Sequence, residues 1–234
     1  DNAEEELRQQ ARPYNLRLLG PNCLGLIRPG AAMNATFSNN QAASGSMALV
    51  SQSGALCTAI LDWAEGRGVG LSALVSLGDA LDLDFGDVLD YLAVDPNTRS
   101  ILLYVEGVRH ARGFMSGLRA AARMKPVVVV KAGRHPAASQ AAVSHTGAIV
   151  GGDDVFDAAL QRAGAVRVMS VEELFAAARL LATSTRVHGD RLAIVTNGGG
   201  PGGRAADRAA DLNVPLAELS EKTIDGLSAI LPAH

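Results

Sequence analysis

The sequence predicts an α/β protein built on a doubly wound parallel sheet. Five short apolar runs alternate with helical segments of roughly 10–13 residues, the pattern of strand–helix–strand units. The composition agrees, because hydrophobic residues make up 48% of the chain, aromatic residues only 4%, and there are 25 glycines. Such a composition suits a tightly wound α/β core better than a β-sandwich.

The chain divides into a central run of these units and a polar segment on either side. The predicted strands are Met47–Val50, Leu71–Ser76, Ile101–Val105, Val127–Lys131 and Val166–Met169, and the helices that follow them are Ala55–Glu65, Phe85–Val94, Ala111–Met124, Asp154–Ala163 and Val171–Ala182. Before them we expect a short strand at Arg17–Leu19 and a polar linker from Arg28 to Ser46. After polar residues 183–190, a new unit is predicted from strand Leu192–Val195 and helix Arg204–Leu212.

Charge and hydropathy exclude several classes of partner. The net charge is −3 with no cluster of Lys and Arg, which argues against nucleic-acid binding. No apolar run approaches the roughly 20 residues that span a bilayer, and no signal segment opens the chain. Cys23 and Cys57 lack C-x-x-C spacing and suggest a reducing, cytoplasmic compartment. The polar start and the end just after a helix lead us to expect a fragment of a longer polypeptide.

Two loops at helix starts have the composition of anion sites. Ser51-Gln52-Ser53-Gly54 offers hydroxyls and the unpaired N–H groups of a helix N-terminus. The alternative is an ordinary N-cap at Ser53, which stabilises a helix by about 1 kcal/mol. Gly198-Gly199-Gly200-Pro201-Gly202-Gly203 is a second candidate. It also fits G-x-G-x-x-G with Glu218 as a ribose-binding acid, but Pro201 inside the pattern weakens that dinucleotide interpretation.

One histidine stands in an unusual setting. His145 lies in the small-residue segment Ala142–Gly152, after the strand that ends at Lys131, so it is expected at the carboxyl edge of the sheet. Glu106 follows another strand and would project at the same edge. A carboxylate on one imidazole nitrogen fixes the tautomer and leaves the other nitrogen free to attack. A locally bonded loop histidine and a solvated strand end are the simpler alternatives; no metal-ligand set is predicted.

These residues resemble the NDP-forming acyl-CoA synthetases related to succinyl-CoA synthetase. The matching motifs, in the family's order, are Arg17-Leu18-Leu19-Gly20-Pro21-Asn22-Cys23-Leu24-Gly25-Leu26, Val50-Ser51-Gln52-Ser53-Gly54-Ala55, Tyr104-Val105-Glu106-Gly107, Ser144-His145-Thr146-Gly147-Ala148 and Thr196-Asn197-Gly198-Gly199-Gly200-Pro201-Gly202. The resemblance implies three parts: a tail of a Rossmann-like CoA-binding domain (1–44), a flavodoxin-like domain (45–186) and the start of a second one (187–234).

The resemblance also assigns roles to the residues. His145 would be the phosphorylated histidine and Glu106 the carboxylate that orients it. Ser51, Ser53 and Gly54 at one helix start, and Gly199, Gly200 and Gly202 at the other, would hold the phosphoryl group, while Asn22 and Cys23 would lie near CoA and the acyl group. The full-length protein would use CoA and ATP or ADP with Mg²⁺, and an ATP-grasp domain or subunit would supply the nucleotide site. A homo-oligomer is left open.

Other motifs resemble one branch more closely. Asn34-Ala35-Thr36-Phe37-Ser38, Leu61-Asp62-Trp63-Ala64, Leu77-Gly78-Asp79 and Leu160-Gln161-Arg162-Ala163-Gly164 are similar to the synthetase-like region of bacterial protein lysine acetyltransferases fused to a GNAT domain. A regulatory module that senses acyl-CoA or nucleotide is therefore the alternative function. His145 and Glu106 favour the synthetase, since a pure sensor needs neither. Asp79 stands where synthetases commonly have Asn, with no predicted consequence.

Overall fold

The computed structural model describes residues 2–134, 152–182 and 189–231, which fall into two compact units. The first unit spans Asp1–Ser184 and the second Thr185–His234. His145 and its neighbours, from residue 135 to residue 151, lie outside the described residues. No helix in the described parts of the chain is long and apolar enough to cross a bilayer.

A seven-stranded sheet forms the centre of the first unit, within its described residues. The strands are β1 (Gly25–Arg28), β2 (Met33–Thr36), β3 (Ser44–Ser51), β4 (Leu71–Ser76), β5 (Ser100–Val105), β6 (Val127–Lys131) and β7 (Val166–Val168), in the order β2-β1-β4-β3-β5-β6-β7. From β4 to β7 all pairs are parallel. Taken alone, these five strands follow the second–first–third–fourth–fifth order of flavodoxin-like folds. The predicted doubly wound sheet is confirmed.

Helices cover both faces of this sheet. They are α2 (Gly54–Glu65), α3 (Phe85–Val94), α4 (Ala111–Met124), α5 (Asp153–Ala163) and α6 (Val171–Ala182), whereas α1 (Asn2–Ala11) contributes none of its described residues to either core cluster. Alternate strand residues face opposite layers, so Val127 and Val129 pack toward α3, α4 and α5, whereas Val128 and Val130 pack toward α2 and α6. Each buried aliphatic side chain contributes about 1.5–3 kcal/mol of transfer free energy.

The expected linker between Arg28 and Ser46 is wrong in its first half. β1 and β2 form an antiparallel hairpin, and β1 also pairs antiparallel with β4. A tight turn with Ala32 at φ 51° joins the two strands, and Ile27 is buried. Each of these strands is only four residues long, too short for a clear alternation of apolar and polar residues, so the composition suggested a linker. The packing therefore shows no division at residue 44, and the descent of residues 1–44 from a CoA-binding domain stays a prediction.

The expected strand at Arg17–Leu19 is an extended loop instead. Its backbone pairs with the segment that precedes α3: Leu18 N donates to the Asp82 carboxylate at 2.8 Å, and Leu83 N donates to Leu18 O at 3.1 Å. Arg17 donates to the same carboxylate and lowers the pKa of Asp82. One carboxylate thus satisfies the backbone group that a strand neighbour would have taken.

The second unit is described from residue 189 to residue 231 and contains two helices there. They are α7 (Gly199–Asp211) and α8 (Glu221–Ser228). The predicted strand Leu192–Val195 is reduced to a single parallel bridge between Leu192 and Leu216. α7 begins at Gly199 rather than at the predicted Arg204, so the glycines belong to the first turn of the helix.

Candidate functional site

The site is built where the order of the parallel sheet reverses. β3 and β5 are adjacent and parallel, with Ser51 beside Tyr104 in register, and they continue to helices on opposite faces of the sheet. Ligands of open α/β sheets bind in the crevice that such a switch point leaves at the carboxyl edge. The loop Ser51–Gly54 and the turn Glu106–Gly107 follow these two strands and therefore share that edge.

Hydrogen bonds within the first loop shape it into a helix start. The Ser51 hydroxyl donates to Ser53 O at 2.9 Å and accepts from Ser53 N at 3.0 Å. Ser53 is the N-cap of α2, and its hydroxyl accepts from Leu56 N at 3.2 Å. Among the described residues, the N–H groups of Gly54 and Ala55 have no acceptor. These donors and the positive end of the helix dipole are suited to an anion.

Ser51 has contacts within the loop, and its predicted contact with a phosphate stays a prediction. Its side chain is completely buried at the end of β3, and its hydroxyl is already engaged within the loop. These contacts help to hold the loop in its observed shape. Ser53 and Gly54, both half-buried, lie at the loop surface, and their contact with a phosphate stays a prediction.

Gln52 joins this loop to the neighbouring turn. Its side-chain Oε1 accepts from Glu106 N at 2.7 Å and from Gly107 N at 3.1 Å, and its own backbone N donates to Tyr104 O. Gln52 is buried although it is polar. The α2 start and the Glu106 turn are therefore one hydrogen-bonded substructure. Sequence reasoning gave Gln52 no role, and a polar residue that ends a buried strand between two serines was the available signal.

Glu106 lies half-buried directly after β5, at the predicted edge. Burial raises the pKa of Tyr104, two residues earlier on β5, and the charge of Glu106 raises it further. Because His145 lies outside the described residues, the structure locates one member of the predicted His–Glu pair. The pairing itself stays a prediction.

The segment that carries Asn22 and Cys23 reaches the same edge by way of β4. Leu24 N donates to the Ser76 hydroxyl at 2.9 Å at the end of β4. Asn22 has φ 54° and follows a cis Gly20–Pro21 bond. Asp79 contacts this loop twice, through its backbone N to Pro21 O at 3.0 Å and through its carboxylate to Asn22 Nδ2 at 3.5 Å. Asp79 therefore faces the Asn22 loop, a consequence that the sequence did not predict.

Both cysteines are free thiols that their surroundings keep protonated. Burial raises the pKa of Cys57 to about 12, and burial also raises the pKa of the half-buried Cys23. A thiolate is the nucleophilic form of cysteine, so neither thiol is activated for covalent chemistry. The predicted place of Cys23 near CoA and the acyl group stays a prediction.

The second unit repeats the loop geometry of the first. The Thr196 hydroxyl donates to Gly198 O at 3.2 Å and accepts from Gly198 N at 3.1 Å, the same pair of contacts that Ser51 makes with Ser53. Gly198 is the N-cap of α7. A Cβ atom added at Gly199 or Gly200 would have no neighbour within 4 Å, whereas one at Gly202 would lie 2.9 Å from Thr196 Cγ2. The first turn of α7 thus leaves its backbone open to a ligand.

A sequence comparison decides the family. The pattern described as the succinyl-CoA ligase like flavodoxin domain matches residues 44–181. The chain belongs to this family. The match contains the α2 loop and Glu106, as well as the segment with His145.

The similar proteins are consistent with this family assignment. The chain is 46% identical over 231 residues to the ADP-forming acetate–CoA ligase I of Archaeoglobus fulgidus, covering 99% of this chain and 33% of that protein. It is 41% identical to the alpha subunit of the Pyrococcus furiosus ADP-forming acetate–CoA ligase I, covering 94% of this chain and 47% of that subunit. Among solved structures, the Ca. Korarchaeum cryptofilum dinucleotide forming acetyl-coenzyme A synthetase 1 has a TM-score of 0.93 at 37% identity, covering 99% of this chain and 50% of that one. The chain thus spans a third to a half of these proteins.

The flavodoxin domain also contains two largely buried basic side chains, Lys131 and Arg167, that sequence analysis missed. Lys131 ends β6, and its Nζ donates to the carbonyls of Ala132 and Gly133 at 3.1 and 3.3 Å. Arg167 on β7 forms a 2.6 Å ion pair with Asp153 at the start of α5. Burial lowers the pKa of Lys131. Within the described ranges, no cluster of His, Cys, Asp and Glu could hold a metal ion.

Proposed function

We propose that this chain is the phosphoryl-transfer part of an ADP-forming acyl-CoA ligase. The reaction is acid, CoA and ATP to acyl-CoA, ADP and phosphate, in either direction. The observation that carries the proposal is the joined substructure at the switch point, where Gln52 bonds the open N-terminus of α2 to the Glu106 turn. The names of the similar ligases support the same reaction.

His145 is the residue that we propose to carry the phosphoryl group. In the acyl-CoA-consuming direction, the imidazole nitrogen attacks the phosphorus of an acyl phosphate, the P–O bond to the acyl group breaks, and the carboxylate leaves. Glu106 accepts the N–H of the other ring nitrogen and stabilises the positive charge that develops on the ring. ADP then takes the phosphoryl group from the histidine, which restores the free imidazole.

The two helix starts are proposed as the holders of the phosphohistidine. A phosphoryl group carries nearly two negative charges, and unpaired N–H donors at a helix N-terminus stabilise them without an ion pair. Ser53 and Gly54 would act at α2, and Gly199, Gly200 and Gly202 at α7. The Korarchaeum synthetase, which was solved with phosphate and ADP, supports an anion site in this family.

The remaining substrates and partners follow from the same proposal. We expect the Asn22–Cys23 loop to lie next to CoA and the acyl group, since it reaches the same sheet edge as the α2 start. ATP or ADP with Mg²⁺ would bind to an ATP-grasp domain or subunit outside this chain; one relative is itself named an alpha subunit. A cytoplasmic location and a homo-oligomeric state of the protein stay predictions.

The alternative is a regulatory module attached to a GNAT protein acetyltransferase. None of the three relatives reported above is named an acetyltransferase, so the alternative gains no support from them. It also leaves His145 and Glu106 without a purpose, because a module that only senses acyl-CoA or nucleotide needs no residue that carries a phosphoryl group. Phosphorylation separates the two functions.

Turnover tests the proposal. The full-length protein should make ATP from acetyl-CoA, ADP and phosphate and release acetate, with acetyl as the first acyl group to try. If the ATP-grasp partner is a separate chain, it is added to the assay. His145→Ala should abolish this activity, and His188→Ala, at a histidine to which we assign no role, should retain it. Equal activity in the His145→Ala and unmodified proteins would refute the phosphohistidine route.

A further inference from the structure

The Gln52 amide has a fixed orientation. Its side chain is 7% exposed, and one end of the amide receives two backbone N–H groups, from Glu106 and Gly107. Only an oxygen can accept them, so the hydrogen bonds themselves determine that Oε1 lies there. The NH2 group must therefore point away from the Glu106 turn.

Nε2 is left as a donor with unused capacity. In the part of the chain that the structure describes, no group accepts a hydrogen bond from Gln52 Nε2, and this atom is not among the enclosed polar atoms that lack a partner. Among the described residues, Nε2 is therefore a donor that the hydrogen bonds of Gln52 leave unused. The oxygen of this buried amide already accepts two backbone N–H groups, and its NH2 group offers two donors. Such a side chain is suited to a ligand that only accepts hydrogen bonds.

The position of Gln52 in the chain supplies the ligand's other contacts. The residue directly precedes the N-cap Ser53, and the unpaired N–H groups of Gly54 and Ala55 follow. We propose that Gln52 Nε2 is a phosphate contact at the start of α2, while Gln52 Oε1 positions Glu106. This inference deepens the proposed function and rests on it. One side chain would then hold the anion and the carboxylate that orients the proposed phosphohistidine.

A neutral donor fits this task better than a cation would. The phosphoryl group must bind firmly and then leave, and an amide adds hydrogen bonds without forming an ion pair that the transfer would have to break. Glu106, whose backbone N donates to the Gln52 amide, carries a carboxylate that would attract a lysine or an arginine at position 52. Glutamine satisfies both neighbours with its two different ends.

Binding of inorganic phosphate to the full-length protein tests the contact. Gln52→Glu keeps an oxygen for the two backbone N–H groups but replaces the donor with a second carboxylate oxygen. We expect at least a tenfold rise in the Kd for phosphate, with the melting temperature unchanged. Gln41→Glu is the matched control, since Gln41 is exposed in the loop before β3 and the same charge is added there. Phosphate binding of unmodified strength in a folded Gln52→Glu protein would overturn the proposal.

A variant-free measurement covers the case in which Gln52→Glu does not fold. A crystal structure of the unmodified protein with phosphate should have Gln52 Nε2 within hydrogen-bonding distance of a phosphate oxygen at the start of α2. Phosphate bound elsewhere, or not bound, would contradict the proposal. Phosphate at Gln52 without any phosphorylation of His145 would instead overturn the proposed function and leave the Gln52 contact standing.

Discussion

Single hydroxyls and one amide organise the two helix starts. Ser51 and Thr196 make the same two contacts with the residue two positions later, although one loop reads Ser-Gln-Ser and the other Thr-Asn-Gly. The residue types of these loops were predictable from their sequence. The role of Gln52 was not, because its partner at Glu106 lies 54 residues away and belongs to another strand. Local patterns do not contain such contacts.

Replacing Glu106 tests its role as the orienting carboxylate. In Glu106→Gln the backbone N–H still reaches Gln52, so the fold and the melting temperature should be retained. The charge that stabilises the imidazolium is lost, and the rate of His145 phosphorylation should fall at least about tenfold. Rapid-quench labelling measures this rate, with the exposed Glu65→Gln as control. Labelling as fast as in the unmodified protein would argue against the role.

The thiol of Cys57 should be chemically inert in the native protein. With its pKa raised by burial to about 12, only about one thiol in ten thousand is ionised at pH 8. Reaction with a thiol-specific reagent such as DTNB should therefore be very slow until denaturant exposes the residue. Mass spectrometry identifies the modified cysteine. Modification of native Cys57 at the rate of the unfolded chain would contradict the burial described here.

At the scale of elements, strongly periodic segments were predictable and weakly patterned ones were not. The five parallel strands and the helices α2 to α6 lie within a few residues of their predicted positions. The β1–β2 hairpin was missed because its pairing with β4 depends on tertiary context. The Arg17–Leu19 segment was called a strand by its composition, but the Asp82 carboxylate satisfies its backbone. In the second unit, α7 begins earlier than predicted, because glycine is a poor helix former and the first turn of this helix is rich in glycine.

The close packing of α3 and α4 offers a stability test. A Cβ atom at Gly117 would lie 2.8 Å from Gly86 O, whereas one at Gly113, on the same helix, would meet nothing within 4 Å. Gly117→Ala should therefore lower the free energy of unfolding by about 1–3 kcal/mol. Gly113→Ala should leave it unchanged or raise it by up to about 1 kcal/mol, since alanine favours the helix. Urea denaturation measures both, and equal effects would show that the helices can separate freely.

At the scale of the whole molecule, two units each present a helix that begins with an open loop. The sequence predicted an anion site at each of these helix starts, and each unit separately contains the same hydroxyl contacts. Family membership covers residues 44–181 and explains the first unit directly. Phosphoryl transfer through His145 remains the central proposal.

The most direct test is phosphorylation of the full-length protein by ATP labelled at the γ-phosphate. The account predicts a label that is lost in acid and stable in base, as expected for phosphohistidine, and that maps to His145. The label should disappear in His145→Ala. A folded, CoA-binding protein that takes up no label, or one that is labelled equally in the variant, would contradict the account.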